Sequence, residues 1–198
     1  MLNLANIIKF CFDDQQRPKS TFKALQNELI KLCESIPHTF HPFFFALPGT
    51  AENTSSIPQI WLASEAAGKL SLLIFRDPIL LIGAIVFSLQ YLTISKILLL
   101  CFDPTVPVVG PARKTAVENI DSLTVKHLQS MCGIALSHHK YGPAMILASL
   151  GISLCGDRVV AADERKKLLG ILEQTQAEHA IPTTNIRDGL LRAWGSVE

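Results

Sequence analysis

Apolar residues at Phe22, Leu25, Leu29, Leu32 and Cys33 recur three and four positions apart and predict a helix from about Thr21 to Ser35, with Ser20 or Thr21 as N-cap and Pro37 beyond its end. From His38 to Gly49 closely spaced prolines forbid a regular element, and the consecutive Phe43, Phe44 and Phe45 need cover against the core. Residues 49 to 58 read as a polar loop. The pattern turns apolar again at Gln59, is interrupted by Gly68 and by Arg76-Asp77-Pro78, and then runs almost unbroken from Ile79 to Phe102.

That run holds 24 residues and a single charge, Lys96, so by length it could cross a bilayer. Gln90, Thr93, Ser95 and Lys96 in its second half argue for a buried helix or helix pair instead, as do flanks without Lys/Arg asymmetry or aromatic anchors. Pro104, Pro107 and Pro111 make the next segment a stiff connector. A long amphipathic helix follows. Its predicted buried face holds Ala116, Val117, Ile120, Leu123, His127, Leu128, Met131 and Cys132, opposite Arg113, Lys114, Glu118, Asp121, Ser122, Lys126 and Gln129.

Ser137 to Gly142 breaks that helix, and Pro143 opens another, apolar all round to Cys155, which belongs in mid-core. Gly156 stops it, and Asp163 and Glu164 start a helix that buries Leu168, Leu169, Ile171 and Leu172. After Pro182, Thr184 or Asn185 caps a short last helix with Ile186, Leu190, Leu191 and Trp194 on one face. No alternating strand pattern with hairpin turns is visible, so the expected fold class is all-α, a multi-helix bundle.

Composition narrows the functional classes. In 198 residues, 48% apolar and 18% charged, there is enough apolar surface to fold as one domain. Eighteen basic against seventeen acidic side chains leave a formal charge of +1, too little for a field that draws phosphate backbones. Cys11, Cys33, Cys101, Cys132 and Cys155 are odd in number, widely spaced and set in apolar segments, as reduced thiols in an intracellular protein would be. The segment MLNLANIIKFCFDD lacks the basic n-region and cleavage site of a signal peptide.

Candidate chemistry is sparse. Gly151-Ile-Ser153-Leu-Cys155-Gly156 approaches a nucleophile elbow but has cysteine where the last glycine is required and sits in a helical run, so Ser153 is expected to bond back to its own helix. His38, His41, His138 and His139 offer imidazoles without a third and fourth ligand at metal spacing. His127 reads as a core histidine, Cys132 as a small apolar residue, and Arg165-Lys166-Lys167 as a solvated helix face. No catalytic, cofactor-binding or metal-ligating residue is assigned, and no cofactor is expected.

Taken in order, several segments form a collinear series: Asn6 to Phe12, FKALQNELIKLCESIP (Phe22 to Pro37) leading into Phe40, SIPQIW (Ser56 to Trp61), ILLLCFDP (Ile97 to Pro104), MCGIALS (Met131 to Ser137), SLCGD (Ser153 to Asp157), and IPTT (Ile181 to Thr184) through LRAWG (Leu191 to Gly195). The series resembles the C-terminal part of the fungal-specific transcription factor domain, the helical regulatory region that follows a binuclear zinc cluster. It covers nearly the whole chain, 1–198. The resemblance implies a helical fold, a nuclear location with the cytoplasm as the alternative, and a part in RNA polymerase II transcription, of a metabolic gene cluster in one version. It implies no catalysis.

The family's six zinc-cluster cysteines have no counterpart here, so neither zinc nor DNA-contacting residues carry over. At about 69–86 an apolar stretch stands where the family has a short connection; an unspliced intron and a local expansion both account for it. The expectation is a regulatory module that binds another protein, or itself, through exposed apolar helix faces and does not contact DNA directly. Three rival readings are a degenerate, non-functional fragment of such a regulator, a membrane-associated protein built on 79–102, separable by carbonate extraction, and a small hydrolase using Ser153 or Cys155 with a histidine.

Overall fold

The computed structural model describes residues 2–13, 17–37, 40–62 and 78–195. They form seven α-helices and one small antiparallel sheet, so the chain is mostly helical. Helix α1 spans Leu2–Phe12 and α2 spans Lys19–Glu34. The N-cap of α2 is Pro18, with extended backbone and no side-chain bond, which places Ser20 and Thr21 inside the first turn rather than at the cap. Of the predicted apolar face, Phe22, Leu25 and Leu29 are buried, whereas Leu32 is exposed.

The expectation of no strands is wrong. Strand β1, Pro42–Ala46, pairs antiparallel with β2, Gln59–Leu62, Phe44 standing opposite Trp61 and Ala46 opposite Gln59, with an irregularity between Pro42 and Phe44. Pro42 does not prevent this because it is the first residue of the strand, where a missing N–H is tolerated. The long connection is closed by Asn53, whose buried amide donates to the carbonyls of Ala46 (3.2 Å) and Ile57 (2.9 Å) and accepts from Ser55 N–H (2.9 Å). Cover is found for only part of the phenylalanine run: Ala46, Ile60 and Leu62 are buried and Phe44 is half-buried, but Phe43 and Phe45 are 67% and 51% exposed.

Helix α3 runs Pro78–Cys101 as one helix rather than a pair. Its segment Ile82–Cys101 is long and apolar enough to cross a membrane by length and composition. It is packed on several sides at once. Ile85, Val86 and Ile97 join an apolar cluster with the later helices and β2, while Ile94, Leu98 and Leu99 join a second cluster with α1 and α2. Burial from two directions explains why no one-sided pattern marks this helix. Residues 69–77 of the apolar insert lie outside the described residues, and 78–86 open α3.

Helix α4, Pro111–Ser137, is buried from Thr124 onward only. Val117 and Leu123, predicted on its buried face, are 40% and 44% exposed, because nothing among the described elements covers its first turns. Helix α5, Gly142–Cys155, lies in the core as expected, though Ile146 and Leu150 reach the surface, so it is not buried all round. Gln90 of α3 joins these three helices. Fully buried, its Nε2 donates to the carbonyls of Met131 in α4 (3.3 Å) and Ala144 in α5 (3.0 Å).

A 3-10 turn, Gly156–Arg158, leads to α6, Ala162–His179, which ends on Ala180 in the left-handed conformation (φ 54°). Leu168, Ile171 and Leu172 are buried and Leu169 is half-buried. The last helix, α7, is Thr184–Ala193 and its N-cap is Thr183, not Thr184 or Asn185. The Thr183 hydroxyl turns inward instead of capping: it donates to Leu172 carbonyl at 2.8 Å, and Gln176 Oε1 accepts from the Thr183 N–H at 3.1 Å, tying α7 to α6.

Candidate functional site

The reactive groups singled out in the sequence are scattered. Ser153 is exposed, and the bonds back to the α5 backbone come from its neighbours, Ser149 hydroxyl to Met145 carbonyl (3.0 Å) and Cys155 thiol to Gly151 carbonyl (3.2 Å). Burial pushes the Cys155 thiol up to about 12, with Cys101 nearby adding to the rise and Arg158 opposing it. Burial likewise raises Cys132, which is wholly enclosed, and lifts Cys11 to about 11 against the pull of Arg17. A thiol that cannot ionise is a poor nucleophile.

A labelling experiment checks this directly. With iodoacetamide at pH 8 we expect Cys33, half-exposed on α2, to react first, and Cys11, Cys132 and Cys155 to react only once denaturant opens the core. Labelling of Cys155 in the native protein as fast as Cys33 would contradict the buried placement.

His138, His139 and His179 contact the backbone of other residues. His138 accepts the Leu62 N–H at its Nε2 (3.3 Å) and stands edge-on to Trp61 (centroids 6.0 Å), with burial lowering its pKa. His139 Nδ1 is 3.3 Å from the Leu136 carbonyl, and His179 Nε2 is 3.1 Å from the His139 carbonyl. His41 is exposed beside β1, and His38 lies outside the described residues. Among the described residues no three His, Cys, Asp or Glu side chains come together as a metal site.

The basic triplet differs from its reading as a solvated face. Arg165 donates to the Val159 carbonyl (2.7 Å) and stacks over Trp194 (5.1 Å), and Lys167 bonds Ser55 in the hairpin loop; only Lys166 is left exposed.

Two surface features are built from several elements. The first is the hairpin, which leaves four large apolar side chains, Phe43, Phe45, Leu47 and Trp61, exposed; the register sets Phe45 opposite Ile60 and Trp61 opposite Phe44, so Phe45 and Trp61 lie on opposite faces of the two-stranded sheet. The second is a groove of about 480 Å³ between α2, α3 and α4. Phe22, Leu29, Ile30, Leu99, Leu100 and Leu123 form its apolar walls, and its polar groups are Gln26, Glu34, Lys96, Asp103 and His127, beside Cys33. His127 is therefore a half-buried wall residue rather than a core histidine; burial and then the positive Lys96 lower its pKa, which favours the neutral ring.

Glycines in two segments of the collinear series make close approaches to other elements. A Cβ on Gly133, in MCGIALS, would fall on the Pro58 carbonyl oxygen of SIPQIW, and a Cβ on Gly156, in SLCGD, would lie 3.1 Å from Leu190, next to LRAWG. These residues were legible as a series in sequence, but their role as close-packing points between elements was not. Comparison with protein-family models, with curated proteins and with solved structures found no match to the chain.

Proposed function

We propose that the chain is a helical regulatory module of the fungal transcription factor type, acting in RNA polymerase II transcription in the nucleus by holding another polypeptide and not by touching DNA. The observation that carries the protein-binding part is the exposed apolar surface of the hairpin. Phe43, Phe45, Leu47 and Trp61 are 67%, 51%, 58% and 44% exposed, a concentration of the residue types that anchor protein interfaces. No Lys, Arg, Asp or Glu occurs in either strand, so the complementary surface is apolar. The transcriptional part rests on the collinear series, two of whose segments, SIPQIW and MCGIALS, approach closely at Pro58 and Gly133.

The test joins the chain to an unrelated DNA-binding domain upstream of a reporter gene. Reporter output is expected to change several-fold, and a Phe45→Ser/Trp61→Ser double variant, folded by circular dichroism, is expected to lose most of that change. Unchanged output with the parent chain, or sequence-specific nanomolar DNA binding by the purified chain at physiological salt, would overturn the proposal.

A further inference from the structure

We propose that His138 is an acid-operated latch between α4 and the hairpin: as a neutral ring it holds the Leu62 end of β2, and on protonation it releases that end and Trp61 with it. The two ends of β2 meet α4 differently. Just before the strand, the Pro58 carbonyl oxygen lies so close to Gly133 that no side chain fits between them, a backbone contact that no proton alters. At the far end the Leu62 N–H donates to His138 Nε2 at 3.3 Å, and the His138 ring stands edge-on to Trp61 at 6.0 Å. The sheet adds little there, because Pro42, the partner of Leu62, has no N–H to give and the pairing is irregular between Pro42 and Phe44.

Only a neutral imidazole can hold the strand. Nε2 needs its lone pair to accept the Leu62 N–H, so the ring proton sits on Nδ1; a proton added at Nε2 would set two N–H groups against each other and leave the Leu62 donor without its partner. The ring is half-buried at the C-cap of α4, and burial lowers its pKa. Strand β2 and the last turn of α4 carry no titratable side chain. His139, Lys140 and Tyr141 follow His138 in the chain, α3 brings Tyr91, Lys96 and Cys101, and α6 brings His179, whose ring meets the His139 carbonyl; none of them adds to the shift or opposes it. The unfolded chain therefore takes up the proton more readily than the folded one. The stability that the latch contributes is complete above about pH 6.5 and is lost as pH falls toward the folded-state value. Trp61 belongs to the exposed apolar surface assigned to a protein partner, so the functional meaning of the latch rests on that reading.

Nuclear magnetic resonance of the whole chain between pH 8 and 4.5 tests the latch with no partner present, so its failure and the failure of the docking reading are told apart. The His138 ring is expected to titrate with a midpoint below the usual value of about 6.5, and the Leu62 amide and Trp61 signals to shift with the same midpoint, while the Gly133 amide stays still. His138→Gln, whose amide oxygen can accept from Leu62 but does not titrate, should hold the Leu62 signal constant. In urea, the folding equilibrium of the parent should fall several-fold relative to that variant between pH 7.5 and 5. A Leu62 amide that does not follow the ring, a ring midpoint at or above the usual value, or a ring still neutral at pH 4.5 would each overturn the proposal. The spectra of the parent protein decide the matter even where the variant fails to fold.

Discussion

Gln90→Glu is expected to make the protein's stability fall steadily as pH rises, by about 1.4 kcal/mol per unit relative to the parent, beginning near pH 4. Gln90 is fully buried, and its Nε2 holds the Met131 and Ala144 carbonyls of two other helices. A carboxylic acid of nearly the same shape has one O–H and can keep one of those bonds while protonated; a carboxylate can keep neither and would face both carbonyls with a negative charge. Burial and these oxygens both disfavour ionisation, so the folded-state pKa lies above the unfolded value of about 4.3.

The sign follows from that. Below pH 4 the side chain is protonated folded and unfolded, and the variant loses only a hydrogen bond, about 1 kcal/mol. Above it the unfolded chain releases a proton that the folded chain must keep, so by pH 7 a further loss of about 3–4 kcal/mol accumulates, levelling off once the folded-state pKa is passed. Urea unfolding of parent and variant at pH 4, 5.5 and 7 measures it. A difference that stays constant across the three would show that position 90 is reached by water.

Gln90 also shows where the sequence stops being readable. In an apolar run an amide needs partners, and Gln90 finds two of them in the carbonyls of Met131 and Ala144. Which carbonyls it bonds depends on how α3, α4 and α5 cross, and no periodicity records that. The helices themselves were legible because a repeat near 3.6 is local: α2, α5, α6 and α7 were predicted close to their observed limits. The ends were misplaced where a proline or an inward-turned threonine took the place of a side-chain cap, as at Pro18 and Thr183.

The hairpin was missed because its strands are short, β1 begins on a proline, and the turn between them is not a tight one but a loop pinned by the buried Asn53 amide. Alternation in Gln59-Ile60-Trp61-Leu62 was the one available signal, and four residues are too few to separate from a helix turn. The groove lay further out of reach. Lys96 registered in sequence only as an interruption of an apolar run, and its neighbours in space come from three helices that the chain order separates widely.

The second large effect is expected at Gly133, where a helix-propensity argument and the tertiary structure give opposite signs. Inside α4, Gly→Ala should stabilise by up to about 1 kcal/mol, since alanine restricts the unfolded chain and suits the helix. At Gly170, in α6, that argument applies unopposed: a Cβ there meets nothing within 4 Å, and Gly170→Ala is expected to raise the melting temperature by about 2–4 °C. At Gly133 the added methyl would collide with the Pro58 carbonyl oxygen, which is backbone and cannot rotate away, and would crowd Ile60 Cδ1 at 3.4 Å.

Accommodating the methyl group at Gly133 therefore requires the start of β2 to lift from α4. That exposes Ile60, strains the Leu62 N–H bond to His138, and separates Trp61 from the His138 ring. The overpacking cost, about 1–3 kcal/mol, exceeds the propensity gain, so Gly133→Ala is expected to lower the melting temperature by about 3–8 °C. Tryptophan emission, with Trp61 on the displaced strand, should change before global unfolding. A Gly133→Ala protein that melts above the parent, as Gly170→Ala should, would mean that the hairpin does not rest on α4.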